Sequence, residues 1–254
     1  MSAPDTPAPY APQPLDAAEG HGNPPSQAAP ESTTRRGLLD KLTARLTGLY
    51  DAREARSIAL IALAELAGLP LSALLTDPGA PMAADGFEAM AAQLAAGRPV
   101  QYVVGHTEFY GHRFTVREGV LIPRPETEHL VDEALARLPE RTVHFADLGT
   151  GSGCLAVTLA AERPFWKGVA VDISEHALET ARRNAERLDA ADRLTFVCAD
   201  FTRPGFWDAG DAGLHLVVSN PPYVGEAEYA ALDPGVRDYE PKTALGPGPT
   251  GLEH

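Results

Sequence analysis

The sequence predicts an α/β domain built on a parallel sheet, with a small helical domain and a β-hairpin in front of it. Three observations carry that prediction. Apolar, β-rich runs at Val143 to Leu148, Gly168 to Val171, Leu194 to Cys198 and Leu214 to Val218 alternate with helical or loop segments, the pattern of parallel strands joined by crossovers. Each run stops near a polar residue, so candidate ligand groups collect along one edge of the sheet. The first run leads into the glycine loop Gly149-Thr150-Gly151-Ser152-Gly153, and an apolar helix from Leu155 to Ala161 follows.

Composition narrows the setting. With 254 residues and 44% hydrophobic content the chain has enough material for one large or two modest domains. A net charge of -14 argues against broad attraction to nucleic acid, whose binders draw affinity from Lys and Arg. Two cysteines, Cys154 and Cys198, make neither a disulfide framework nor a thiolate zinc site, and no histidine falls in a metal-ligand motif, so no metal is expected. No apolar run reaches the roughly 18 to 20 residues that cross a bilayer. The start lacks the basic and apolar regions of a secretory signal. A cytoplasmic protein, free of membrane, is the expectation.

Taken in order, residues 1–32 hold eight prolines, four acids and no Lys or Arg; they cannot build a core and are expected to be a disordered tail. Residues 33–97 form the helical domain. Leu38, Leu39, Leu42, Leu46 and Leu49 recur at helical spacing, a second helix runs from Ala52 to Leu66, a turn covers Leu71 to Leu75, and Phe87 to Ala96 is a further helix. Residues 98–122 read as a hairpin linker, because Val100 to Val104 and Glu108 to Val116 are β-rich and Gly105 and Gly111 are available for turns. Residues 123–254 are the main domain. They open on Pro123-Arg124-Pro125-Glu126-Thr127-Glu128, where Glu126 or Thr127 begins an amphipathic helix through Leu138. Arg124, fixed between prolines, has two readings: a partner for a ligand carboxylate, or an ion pair with Glu126 or Glu128.

Within that domain the glycine loop lets backbone approach a ligand, and the helix behind it offers free N–H groups. The dinucleotide spacing G-x-G-x-x-G fails in both registers, although Ala156 leaves that exclusion soft. Asp172 ends the second run about 20 residues past the loop, where an acid accepts from ribose hydroxyls; an incidental acid before a helix cap at Ser174 reads the same way. Asp200 and Phe201 follow the third run, placed for an acid to accept from an adenine amine while the ring covers the base. A capping acid and a core phenylalanine would look alike there. After the fourth run comes Asn220-Pro221-Pro222-Tyr223. Two prolines stiffen the backbone and leave carbonyls free. The Asn220 side-chain oxygen and the Pro221 carbonyl thus offer two acceptors to one planar NH2, with Tyr223 as a flat wall; a rigid turn with a packed tyrosine is the plainer reading.

Together, Asp147 to Gly153, Ser219 to Tyr223 and Leu121 to Glu128 resemble the HemK/PrmC family of protein-(glutamine-N5) methyltransferases, within the S-adenosylmethionine-dependent class I enzymes. Arg98 to Tyr102, Gly105, Phe109 to Gly111 and Tyr239-Glu240-Pro241 are similar to that family too. The resemblance implies a Rossmann-like class I methyltransferase domain, a helical domain for substrate docking, and S-adenosyl-L-methionine as methyl donor. Its substrate would be the glutamine of the Gly-Gly-Gln loop of peptide chain release factors, with no direct nucleic acid partner and a monomer expected. Carried over, the donor site falls on Gly149, Thr150, Gly151, Ser152, Gly153, Asp172, Asp200, Phe201 and Asn220. The catalytic pair is Asn220 and Pro221, and Asn220 to Tyr223 bind the glutamine. Alternatives are a ribosomal-protein glutamine methyltransferase, a DNA adenine-N6 methyltransferase, or a donor-binding fragment without turnover. The family continues past a Gly-Leu-Glu sequence with a helix and three strands, whereas this chain reaches Gly251-Leu252-Glu253-His254. The expectation is an incomplete, impaired enzyme with an unpaired strand edge, or a tag remnant at the last residues.

Overall fold

The structure, a computed structural model, describes residues 34–204, 206, 213–246 and 248–250. The tail expected over 1–32 and the Gly-Leu-Glu-His terminus lie outside the described residues. Four helices come first: α1 (Arg35–Leu46), α2 (Ala52–Ala67), α3 (Leu71–Thr76) and α4 (Phe87–Ala95). Asp51 caps α2 by accepting from the backbone of Arg53 and Glu54, and Gly68 ends it at φ 61°. Their leucine stripes meet in a core of Leu38, Leu42, Leu46, Leu63, Phe87 and Leu94.

Val100–Val104, read from sequence as a strand, is instead a short helix, α5. Pro99 stands at its N-cap and Gly105 closes it at φ 79°. Val100 packs into the helical core and the Tyr102 hydroxyl donates to the Val120 carbonyl at 2.6 Å; tertiary anchoring overrides the β preference of Val-Gln-Tyr-Val-Val. The hairpin is therefore smaller than expected, β1 (His106–Phe109) paired antiparallel with β2 (His112–Thr115). Its two-residue turn puts Tyr110 at φ 50° and Gly111 at φ 74°, the doubly left-handed geometry that matches strand twist.

The main domain contains α6 (Glu128–Arg137), β3 (Val143–Leu148), α7 (Cys154–Glu162), β4 (Trp166–Asp172), α8 (Glu175–Arg187), β5 (Leu194–Cys198) and β6 (Leu216–Ser219). Short helices α9 (Glu226–Ala231), α10 (Pro234–Tyr239) and α11 (Lys242–Leu245) follow. The four strands are parallel in the order β5-β4-β3-β6. Phe145, Leu155, Val157, Leu159 and Trp166 lead the core, and the ring of Phe145 fills the space that a side chain at Gly168 would take. Strand order reverses between β3, which is followed by a neighbour on one side, and β6, which returns to the other. Ligands of open α/β sheets bind at such a switch point, outside the carboxyl ends of the strands.

Candidate active site

A cleft of about 260 Å³ opens at that switch point. Its floor is the loop leaving β3. Gly149 and Gly151 hold φ 73° and 56° there, a left-handed backbone that costs glycine nothing. Gly149 and Thr150 both donate to the Val171 carbonyl at 2.9 Å, which ties the loop to β4. Gly153 has a different task. It does not line the cleft, and a Cβ added to it would lie 2.9 Å from the Ala181 Cβ; its bareness lets α7 and α8 approach.

Asp147 is 1% exposed. Its Oδ2 accepts from the Thr150 hydroxyl at 2.6 Å and the Ala156 amide at 3.1 Å, while Oδ1 is buried with no hydrogen-bond partner. Burial pushes its carboxyl up to about 6, against two hydrogen bonds that favour the anion. Asp172, at the end of β4, accepts from the amide of Gly151 at 2.9 Å and from that of Ser174 at 2.9 Å. Ser174 also caps α8, while Asp172 lines the cleft. Asp200 accepts from the Thr202 amide and hydroxyl at 3.0 and 2.5 Å and pairs with Arg203 at 3.3 Å. Those hydrogen bonds hold its carboxyl below the usual range. Phe201 packs with Leu148 and Val171 beside Gly149.

Across the cleft stands the loop after β6. Leu148 and Ser219 are register partners, and the Ser219 hydroxyl donates to the Leu148 carbonyl at 2.7 Å. The two site loops thus leave adjacent strands at one level. Asn220 and Pro222 line the cleft; Pro221 and Tyr223 are not among its lining residues. Tyr223, expected as a flat wall beside those acceptors, is 65% exposed. The reason is local: the amides of Tyr223 and Val224 both donate to the Leu245 carbonyl, at 3.1 and 2.9 Å, so the chain turns out of the cleft onto α11 directly after Pro222.

Sequence reasoning missed three residues. Arg124 pairs with neither Glu126 nor Glu128 but with Glu240 at 2.5 Å, 116 positions away. The Glu240 carboxylate, 1% exposed, also accepts from the Ile122 amide at 3.1 Å. Glu128 accepts from the hairpin amide of Tyr110 instead. Thr127, 7% exposed, accepts from the Asn220 side-chain amide at 3.1 Å. Asn184 on α8 is fully buried; it accepts from the Thr115 amide at 2.8 Å and donates to the carbonyls of Thr115 at 3.0 Å and Ser152 at 2.9 Å. It joins the hairpin to the glycine loop. A polar residue among alanines on the inward face of α8 was the available signal. Among the described residues no group of three or more His, Cys, Asp or Glu is disposed to hold a metal, and no helix is long and apolar enough to cross a membrane.

A glycine loop and three strand-end acids around a switch-point cleft define a Rossmann-like class I methyltransferase domain, and residues 127–232 match the family model described as methyltransferase small domain. Residues 37–105 match the PrmC N-terminal domain. The release factor glutamine methyltransferase of Nitratidesulfovibrio vulgaris is 51% identical over 168 residues, 66% of this chain and 56% of that protein. The protein of the same name from Chlorobaculum tepidum is 46% identical over 176 residues, 67% of this chain and 60% of that one. A solved S-adenosylmethionine-dependent methyltransferase of Geobacter sulfurreducens in complex with S-adenosyl-L-homocysteine shares 26% identity over 50% of this chain and 46% of its own, at a TM-score of 0.33. The chain belongs to the HemK/PrmC family. It spans between half and two thirds of the length of the relatives it matches.

Proposed function

We propose that this chain carries a methyl group from S-adenosyl-L-methionine to the side-chain amide nitrogen of the glutamine in the Gly-Gly-Gln loop of a peptide chain release factor. The observation that carries the reading is the state of Asn220. Its amide N–H is given to Thr127, which leaves its side-chain oxygen as an acceptor on the cleft, one strand away from the glycine loop.

The residues fit the donor. Asp147 Oδ1, buried and without a partner, is an acceptor at the cleft for a cationic amino group; the Asp172 carboxylate keeps lone-pair sites beyond the two amides it already serves. Gly149 and Gly151 leave room for close approach, and Phe201 supplies an aromatic face. When bound, the donor would bring an electrophilic methyl on a sulfonium centre.

A carboxamide nitrogen is a weak nucleophile because its lone pair is delocalised. The protein's part is to orient it. Asn220 Oδ1 accepts one amide hydrogen of the glutamine, and the backbone between Asn220 and Pro222, where the Pro221 carbonyl lies, is the source of a second acceptor. Fixed acceptors hold the nitrogen toward the methyl and favour the positive charge that develops on it. No base is needed before attack, since the alkylated nitrogen sheds its proton easily. Tyr223, exposed beside the cleft, is available to a protein substrate. The helical domain is the docking surface in this reading, and the chain works as a monomer in the cytoplasm.

The test is mass spectrometry of a release-factor Gly-Gly-Gln peptide after incubation with donor, alongside a ribosomal protein and duplex DNA. Methylation of the glutamine is expected. Methyl transfer to DNA or ribosomal protein alone overturns the proposal. Asn220→Ala should lower kcat about a hundredfold while donor affinity stays unchanged; equal losses in both reassign Asn220 to the donor.

A further inference from the structure

We infer that Thr127 is a positioning residue for Asn220: its hydroxyl takes the amide N–H and so directs the Asn220 oxygen, rather than its NH2, at the substrate. The inference rests on the reading above, in which that oxygen is the working group. An Asn side chain has an acceptor end and a donor end of nearly the same shape, and rotation by half a turn exchanges them. An amide turned the wrong way would present N–H groups to a substrate NH2. Something must break the tie.

The structure shows the orientation taken, with the amide end of Asn220 on Thr127. Asn220 Nδ2 lies 3.1 Å from Thr127 Oγ1. Thr127 is 7% exposed, and it lines the same cleft. Its place is built from a distance. The buried Glu240 carboxylate holds the Ile122 amide and the Arg124 guanidinium. Arg124 then accepts from the Thr127 amide at 3.0 Å through its carbonyl, closing the single turn Pro125–Thr127. Pro125 presets that turn. The segment from Ile122 to Thr127 is therefore a strap, anchored at one end by an ion pair and delivering a hydroxyl to the catalytic loop at the other. From the opposite side the Asn220 loop is held by Ser219 on Leu148 and by Tyr223 and Val224 on Leu245. Those bonds fix its backbone. Rotation of the side chain is left to Thr127.

The experiment compares Thr127→Val, which keeps the shape and removes the hydroxyl, with Thr127→Ser, which keeps the hydroxyl. Steady-state kinetics on the Gly-Gly-Gln peptide and calorimetric donor affinity are measured for both and for the parent chain. Thr127→Val is expected to lower kcat about ten- to a hundredfold, as a misaimed contact does, with KM for peptide and donor affinity within about threefold; Thr127→Ser is expected to stay within about threefold of the parent in all three. A Thr127→Val kcat within twofold of the parent overturns the inference, as does a Thr127→Ser loss as deep as that of Thr127→Val. If Thr127→Val does not fold, Thr127→Ala against Thr127→Ser gives the same contrast. A parent chain that methylates no glutamine at all removes the functional reading first, and this inference with it.

Discussion

Replacing Asn184 by Ala tests how the hairpin and the glycine loop are joined. The side chain is fully buried and makes three hydrogen bonds, one accepted from the Thr115 amide and two donated, to the carbonyls of Thr115 and Ser152. At about 1 kcal/mol net per bond the loss is about 3 kcal/mol, and alanine returns nothing to the three backbone groups left behind. In a domain of this size 1 kcal/mol moves the midpoint by about 2–4 °C, so thermal unfolding should shift down by about 6–12 °C. Ser152 sits in the glycine loop. Releasing its carbonyl should therefore also weaken S-adenosyl-L-methionine, by about fivefold if about 1 kcal/mol of loop order is lost. Scanning calorimetry and a donor titration read the two effects. A midpoint shift below about 2 °C, with donor affinity unchanged, would refute the claim that this amide holds the two elements together.

Two further outcomes follow from the same geometry. The Asp147 carboxyl sits at about 6 in the folded chain against an ordinary 3.8, so the folded state holds a proton that the unfolded state has already released. Its contribution to stability is full below about pH 4 and is lost, to the extent of about 3 kcal/mol, as pH rises through about 6. Denaturant midpoints of the ligand-free chain should show this fall between pH 4 and 6, and Asp147→Asn should flatten it; an unchanged slope in that variant would assign the effect elsewhere. Gly153→Ala places a methyl 2.9 Å from the Ala181 Cβ and 3.1 Å from its Cα, at φ 81°. Left-handed strain and overpacking together should cost about 2–5 kcal/mol. Gly105→Ala, at φ 79° with nothing within 4 Å of the new carbon, should cost only the strain, about 1–2 kcal/mol. Equal losses in the urea denaturation of the two variants would show that α7 and α8 do not need the bare contact.

Much of the molecule was legible because its signals are local. Alternating apolar runs, the glycine loop and the stripe of Leu38, Leu39, Leu42 and Leu46 describe strand, turn and helix through steric and periodic rules that act over a few residues. β5 spans the residues expected of it. Val100–Val104 failed for the same reason that the others succeeded: its composition favours a strand, but Tyr102 and Val100 are held by partners outside the segment. The docking of Tyr223 onto α11 was likewise invisible in the stiff Asn-Pro-Pro-Tyr run.

By itself, then, the sequence located the four parallel strands and the longer helices, showed that glycine and Asn-Pro-Pro-Tyr loops follow two of the strands, and showed which family the chain resembles. Only the tertiary structure decided that β6 lies against β3, so that those loops share one cleft. It also decided that Arg124 answers to Glu240, that Asn184 bridges hairpin and loop, and that the Asn220 amide is spent on Thr127. These contacts join residues between 32 and 116 positions apart. A buried hydrogen bond is worth what its surroundings make of it, and periodicity along a chain does not record which distant group will supply the other half.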